Sequence, residues 1–217
     1  MSGLAWLITG GLRQLATIRE EEIITRGFTA SRSAIPTNTT TTSNMETDDN
    51  QTLGPANASV VIVEFGDFEC PYCRDAFPIV RELMSTFEGK VRWQWRHFPL
   101  SDIHAGAIRA AEGSECAAEQ GNFWGYHDKL FLNQPDFSDA SLVRYAVQLG
   151  LDQEKFSACL SSGKYKSKIQ RDYEAGLAAG VGGTPTFFIN SRKVPGVIPR
   201  EIFAKIITRA LQAQKVP

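Results

Sequence analysis

The chain has 217 residues, 42% hydrophobic and 22% charged, enough for one ordinary globular domain with a proper core. Its formal net charge of -1 leaves no electrostatic footprint for nucleic acid or an anionic membrane surface. Composition and the lack of repeats exclude collagen, coiled coil, solenoid and polytopic membrane protein, and four cysteines are too few for a disulfide-framework mini-protein.

Gly3 to Leu12 has the length of a signal-peptide core, yet no basic residue precedes it and no A-x-A site follows promptly. It is also far short of the roughly 20 apolar residues that a spanning helix needs. Residues 11–26 can place Leu12, Leu15, Ile18 and Ile23 on one side of a short helix. From Pro36 to Thr52 seven of 17 residues are Thr and only Met45 is large and apolar, a stretch too polar to offset the entropy of ordering. We therefore read 1–53 as a poorly ordered extension ending in a flexible Thr-rich linker, and 54–217 as the folded domain. The N-x-Ser/Thr triplets at Asn38, Asn50 and Asn57 read as chance matches in this setting.

Val60-Val61-Ile62-Val63 is a continuous β-branched run, as expected of a strand buried on both faces. From Ala76 the apolar period becomes helical, through Phe77, Ile79, Val80, Leu83, Met84 and Phe87, and Gly89 closes the helix. Pro78 inside it predicts a kink. Lys90 to His97 alternates apolar and polar residues and reads as a second strand, completing a right-handed β-α-β unit. Helical spacing then recurs over 103–119, 122–132, 139–149, 152–161 and 164–180. Asp152 serves as an N-cap there, with Leu151 packing on Phe156. Thr186 to Asn190 is a strand, Lys193-Val194-Pro195 an edge strand, and Ile202, Phe203, Ile206, Ile207, Ala210 and Leu211 form the stripe of a last helix. The fold class is α/β, in the order β-α-β, helical block at about 100–180, β-β-α.

Cys70-Pro71-Tyr72-Cys73 falls between the first strand and its helix. Pro71 suits the first helical position, since it has no N–H to leave unpaired. Cys70 then sits where free N–H groups and the helix dipole converge, which stabilises a thiolate and lowers its pKa. A stabilised thiolate favours the dithiol over the disulfide, so the disulfide becomes a better oxidant. Cys70 is expected to be exposed and to react first, with Cys73 deeper as the resolving thiol. Half of a zinc site is a poor alternative, because the remaining cysteines lie singly at 116 and 159 and no second CxxC exists. A static disulfide in so small a ring contributes little loop-closure entropy. We expect no metal and no cofactor beyond the two sulfurs. Gly182-Gly183-Thr184-Pro185-Thr186 precedes the third strand, and a proline there is compatible with a cis turn that leaves the Thr184 backbone free for an extended substrate.

EFGDFECPYC, RHFPL at 96–100 with His104, the segment 116–131 and GGTPTFFIN together resemble the DsbA-like thiol-disulfide oxidoreductases, over about 54–214. The resemblance implies a thioredoxin fold with an inserted helical subdomain, a redox-active Cys70–Cys73 disulfide and a cis Thr184–Pro185 bond. It also implies an acidic residue at Glu64 beneath the site. A carboxyl on an apolar strand is costly to bury, so its pKa is expected to rise and let it exchange protons with Cys73. Pro71 and Tyr72 are expected to tune the pair and contact substrate. Asp67 and Glu69 read as solvated loop charges, His97 and His104 as structural, and His127 as packing or rim. Cys116 and Cys159 are either two buried thiols or, as in some DsbA-like relatives, a second disulfide in the helical subdomain.

The expected activity is disulfide transfer from Cys70–Cys73 to substrate proteins through a mixed disulfide at Cys70. A separate redox partner then reoxidises the pair. Reductase or isomerase chemistry at the same residues, and a redox-gated peptide-binding module, are the competing readings. Residues 1–53 look too polar for the dimerisation domain of the isomerases, so a monomer is expected. The compartment reads as periplasm or another extracytoplasmic oxidising space, with the cytoplasm as the alternative.

Overall fold

A computed structural model of the protein describes residues 45–214. Five strands form one mixed sheet in the order β1-β3-β2-β4-β5: β1 (Thr52–Leu53), β2 (Val60–Gly66), β3 (Val91–His97), β4 (Thr186–Ile189) and β5 (Arg192–Pro195). Only β2 and β3 run parallel, joined by α1 (Pro71–Thr86); β1 pairs antiparallel with β3, and β4 with both β2 and β5. The α1 helix continues through Pro78 as a single element. Between β3 and β4 lie α2 (Ala107–Ala118), α3 (Phe123–Leu132), α4 (Asp139–Gln148), α5 (Gln153–Ser162) and α6 (Lys166–Ala178), and α7 (Arg200–Ala213) ends the described chain. The expected order of elements is present.

β2 and β3 are central, so both their faces are covered, which explains their near-continuous apolar sequences. One face carries Ile62, Trp93 and Trp95 into the large core shared with α1, α3 and α7. The other carries Val63 and Phe65, which pack with Phe98, Val181 and Phe188. The first strand runs three residues further than expected, to Gly66. A side chain at Gly66 has no room there, because a Cβ would lie 2.2 Å from the Trp95 ring. Trp95 can thus stack on Phe68, at 4.8 Å between ring centroids, directly under the loop that leads to Cys70.

The expected flexible linker overlaps the described chain at residues 45–52, and here the structure differs. Asn50 is buried, donating to Asp172 at 3.0 Å and accepting from Lys168 at 2.6 Å. Lys168 also pairs with Glu115 at 2.9 Å, and Asp172 with Arg96 at 2.9 Å, so each buried charge has an opposite neighbour. Thr47 exchanges two hydrogen bonds with the Gln94 side chain, and β1 pairs with β3. The partners of this stretch lie far along the chain, out of reach of its own composition. The remainder of the expected extension, including the segments 3–12 and 11–26 and the triplet at Asn38, lies outside the described residues.

In the helical insert, Asp152 caps α5 by accepting from Lys155 N–H at 2.9 Å, as expected. Cys116 on α2 and Cys159 on α5 form a disulfide, with Cα atoms 5.8 Å apart. This resolves the open choice in favour of the bonded pair. His97 accepts from the Trp95 indole N–H at Nδ1 and meets Glu115 through Nε2 at 2.9 Å, while His127 is fully buried among aromatic rings; both are structural.

Candidate active site

Cys70 is the N-cap of α1 in an extended conformation, and Pro71 occupies the first turn. The Cys70 N–H donates to the Asp67 carbonyl at 3.2 Å, while the Cys70 carbonyl accepts the first helical bond from Arg74 N–H at 3.2 Å. This turn aims the Cys70 sulfur across the sheet ends at the loop before β4, where it lies 3.3 Å from the Thr184 carbonyl oxygen. The Thr184–Pro185 peptide bond is cis, and so is Gln134–Pro135, which the sequence reading did not anticipate. Cys70 and Cys73 are thiols in this structure.

One expectation fails in detail. Cys70 is only 3% exposed, sheltered under the Thr184 loop, whereas Tyr72 beside it is 63% exposed. Its Sγ nevertheless holds a pKa lowered to about 6. The largest cause is the hydrogen bond from the Cys73 thiol, which outweighs the opposing effect of burial; Thr184 and the backbone N–H groups of Cys73 and Tyr72 add to it. The helix N-terminus thus contributes as expected, behind the partner thiol. Once Cys70 ionises it can no longer donate to the Thr184 carbonyl. The Thr184 hydroxyl, buried and without a hydrogen-bond partner, is then the group on that residue able to donate to sulfur.

Cys73 is fully buried, and burial, the Cys70 sulfur and the Glu64 carboxyl together push its pKa well above the ordinary thiol value. The Asp67 N–H, which donates to the Cys73 sulfur at 3.5 Å, acts in the opposite direction. Glu64 sits in mid-strand on β2, wholly buried, with neither carboxyl oxygen hydrogen-bonded. Burial raises its pKa to about 8, with only Trp93 opposing. At neutral pH this carboxyl holds a proton close to Cys73. Two thiols with pKa values driven apart, a protonated carboxyl below them and a cis-proline loop above are arranged for thiol-disulfide exchange.

A family model described as thioredoxin matches residues 46–209. The chain belongs to the thioredoxin family. Among solved structures, the chain resembles a thioredoxin-like oxidoreductase from Silicibacter pomeroyi, at 26% identity and a TM-score of 0.70, over 77% of this chain and 95% of that one. The alpha-DsbA1 of Wolbachia pipientis is 25% identical with a TM-score of 0.65, over 78% of this chain and 96% of that one. The architecture is therefore that of a DsbA-like thiol-disulfide oxidoreductase. A curated relative from Salinispora tropica named Na(+)/H(+) antiporter NhaA 3 is 41% identical over 172 residues, 79% of this chain and 26% of that protein. The chain thus spans about a quarter of the length of such relatives.

The structure also shows what holds the loop before Cys70 to the helical insert. Asp67 is 2% exposed, not solvated: its carboxylate accepts from Glu69 N–H at 2.8 Å, Leu100 N–H at 2.9 Å and His104 Nδ1 at 2.7 Å. Glu69 is likewise engaged, accepting from Gly106 N–H at 2.6 Å. The Gln134 amide donates to the carbonyls of Phe68 and Cys70, the latter at 3.1 Å. Beside the cis-proline loop, Gly182, Gly183, Thr184, Pro185, Lys193 and Gly196 line a groove of about 410 Å³. Among the described residues no cluster of three or more His, Cys, Asp or Glu is placed to hold a metal ion.

Proposed function

We propose that the protein is a dithiol oxidase that passes a Cys70–Cys73 disulfide to thiols of substrate proteins. The observation that carries this reading is the placement of Cys70 as the N-cap of α1, 3.3 Å from the Thr184 carbonyl before cis Pro185, where its pKa is lowered to about 6 beside a fully buried Cys73. A stable Cys70 thiolate makes the reduced form the preferred one, and makes Cys70 the better leaving group when a substrate takes the disulfide. A substrate thiolate attacks the Cys70 sulfur of the oxidised pair. Cys73 leaves and takes up a proton, for which Glu64 is the nearby donor. A second substrate thiolate then attacks the substrate sulfur of the mixed disulfide and releases Cys70 as the thiolate. The substrate segment lies extended in the groove next to Thr184 and Pro185, pairing with that backbone as an added strand, and exposed Tyr72 borders it. A separate redox partner restores the disulfide.

The Cys116–Cys159 bond supports an oxidising, extracytoplasmic setting for this chemistry, because reducing compartments rarely keep structural disulfides. No helix among the described residues is long and apolar enough to cross a membrane. The deciding experiment is equilibration of the Cys70–Cys73 pair with glutathione. A potential near or above about -180 mV supports the oxidase, and one near about -270 mV assigns a reductase instead. Thiol oxidation that persists undiminished in Cys70→Ser refutes both.

A further inference from the structure

Asp67 touches both cysteines through its backbone and the helical insert through its side chain. Its carbonyl accepts the Cys70 N–H at 3.2 Å, and its N–H points at the Cys73 sulfur at 3.5 Å. Its carboxylate is pinned on three sides: Oδ1 by Glu69 N–H, Oδ2 by Leu100 N–H and by His104. Since the carboxylate only accepts, His104 carries its proton on Nδ1. Leu100 and His104 lie on the loop that follows β3, so this loop fixes the rotation of the Asp67 peptide from outside the redox turn.

We propose that Asp67 is a positioning residue whose clamped carboxylate aims its own main-chain N–H at Cys73 and so stabilises that sulfur whenever it carries the thiolate charge. Burial, Cys70 and Glu64 all disfavour the Cys73 thiolate, and the Asp67 N–H acts for it. A hydrogen bond from an N–H to an ionised acceptor is stronger than one to a neutral thiol, so its effect falls on the charged state. Asp67 thereby serves Cys73 as leaving group when substrate attacks Cys70, and as nucleophile in the reverse step. In that reverse step the Cys73 thiolate attacks the Cys70 sulfur of a mixed disulfide. The Cys70–Cys73 bond forms, the bond to the other thiol breaks, and that thiol departs as a thiolate. The inference rests on the exchange chemistry proposed above, and on neither direction of net electron flow.

The test follows reduced protein mixed with oxidised glutathione by rapid acid quench. Attack of Cys70 gives a concentration-dependent phase, and release of glutathione by Cys73 a concentration-independent one. Asp67→Asn retains an acceptor for Glu69 N–H but cannot accept on its amide nitrogen from Leu100 and His104. It is expected to slow the concentration-independent phase about tenfold at pH 7 and to move its pH midpoint up by about one unit, with a much smaller change in the first phase. His104→Phe, which removes one tie of three, is expected to slow the same phase about two- to threefold, and His104→Gln to restore it. Melting temperatures measured alongside separate this from a loss of fold. If Asp67→Asn does not fold, His104→Phe decides. Wild-type release rates and an unshifted midpoint in whichever variants fold overturn the inference. Wild-type protein that fails to exchange with oxidised glutathione at all would instead sink the exchange reading itself.

Discussion

The sulfur of Cys70 lies 3.3 Å from the carbonyl oxygen of Thr184, although 114 residues separate the two along the chain. The helical insert fills that interval, so the two motifs meet only because β2 and β4 are neighbours in the sheet. In the proposed exchange, attack on Cys70 and pairing with the Thr184 backbone are therefore one approach, made from one side.

The Cys70 thiolate gives the reduced protein a pH signature. Its pKa of about 6 is below the ordinary 9, so the stabilisation is complete above pH 9 and is lost as pH falls through 6. Between pH 5 and 7 the reduced form is expected to gain about 1.4 kcal/mol relative to the oxidised form, which has no thiol to titrate there. Denaturant unfolding of both forms across that range checks the slope. A constant difference would show that Cys70 is not ionised.

Glu64 acts in the opposite sense. Its pKa is raised from 4.5 to about 8, so the folded state holds a proton that the unfolded state gives up. That contribution is full below pH 4.5 and is lost as pH rises through 8. Glu64→Gln is expected to remove a decline in stability on the order of 3 kcal/mol between pH 4.5 and 7. The same variant is expected to slow disulfide transfer, since Cys73 then lacks its proton donor. The readouts are unfolding midpoints against pH and transfer rate at pH 7.

The Cys116–Cys159 bond closes a sequence separation of 43 residues. In the chain-entropy picture its loss costs about 3–4 kcal/mol. Cys116→Ser with Cys159→Ser is expected to lower the denaturant midpoint accordingly, while the Cys70 pKa stays near 6. A large fall in thiolate reactivity in this double variant would show that the insert's bond also shapes the redox site.

Asn50 joins Lys168 to Asp172 at the point where the described chain enters the domain. Asn50→Ala leaves two buried charged groups each short of a partner, and is expected to cost about 1–3 kcal/mol. Hydrogen exchange localised to residues 45–53 and α6 is the sharper measurement, because the release should begin there.

The order of elements was legible because each rests on a local period: β-branched runs for β2 and β4, alternation for β3, helical stripes for α1 and α7. Cys70, Cys73, Thr184 and Pro185 were legible as motifs. Glu64 was picked out by the family resemblance, and its place on an apolar strand gave the reason for a raised pKa. What escaped was carried by distant partners. Asp67 and Glu69 look solvated until Leu100, His104 and Gly106 arrive from 33 to 37 residues away. Gln134 has no local mark at all, and reaches Phe68 and Cys70 from the helical insert. The shelter over Cys70 is likewise a property of the loop before β4, not of the CPYC turn.

The two cysteine pairs live on different clocks. Cys116 and Cys159 lie within α2 and α5, away from any helix N-terminus that would favour a thiolate, and they tie two helices of the insert together. Cys70 is covered as deeply, yet it caps a helix beside the Thr184 loop. In the function proposed above, one pair of sulfurs is a permanent fastening and the other is left to be rewritten.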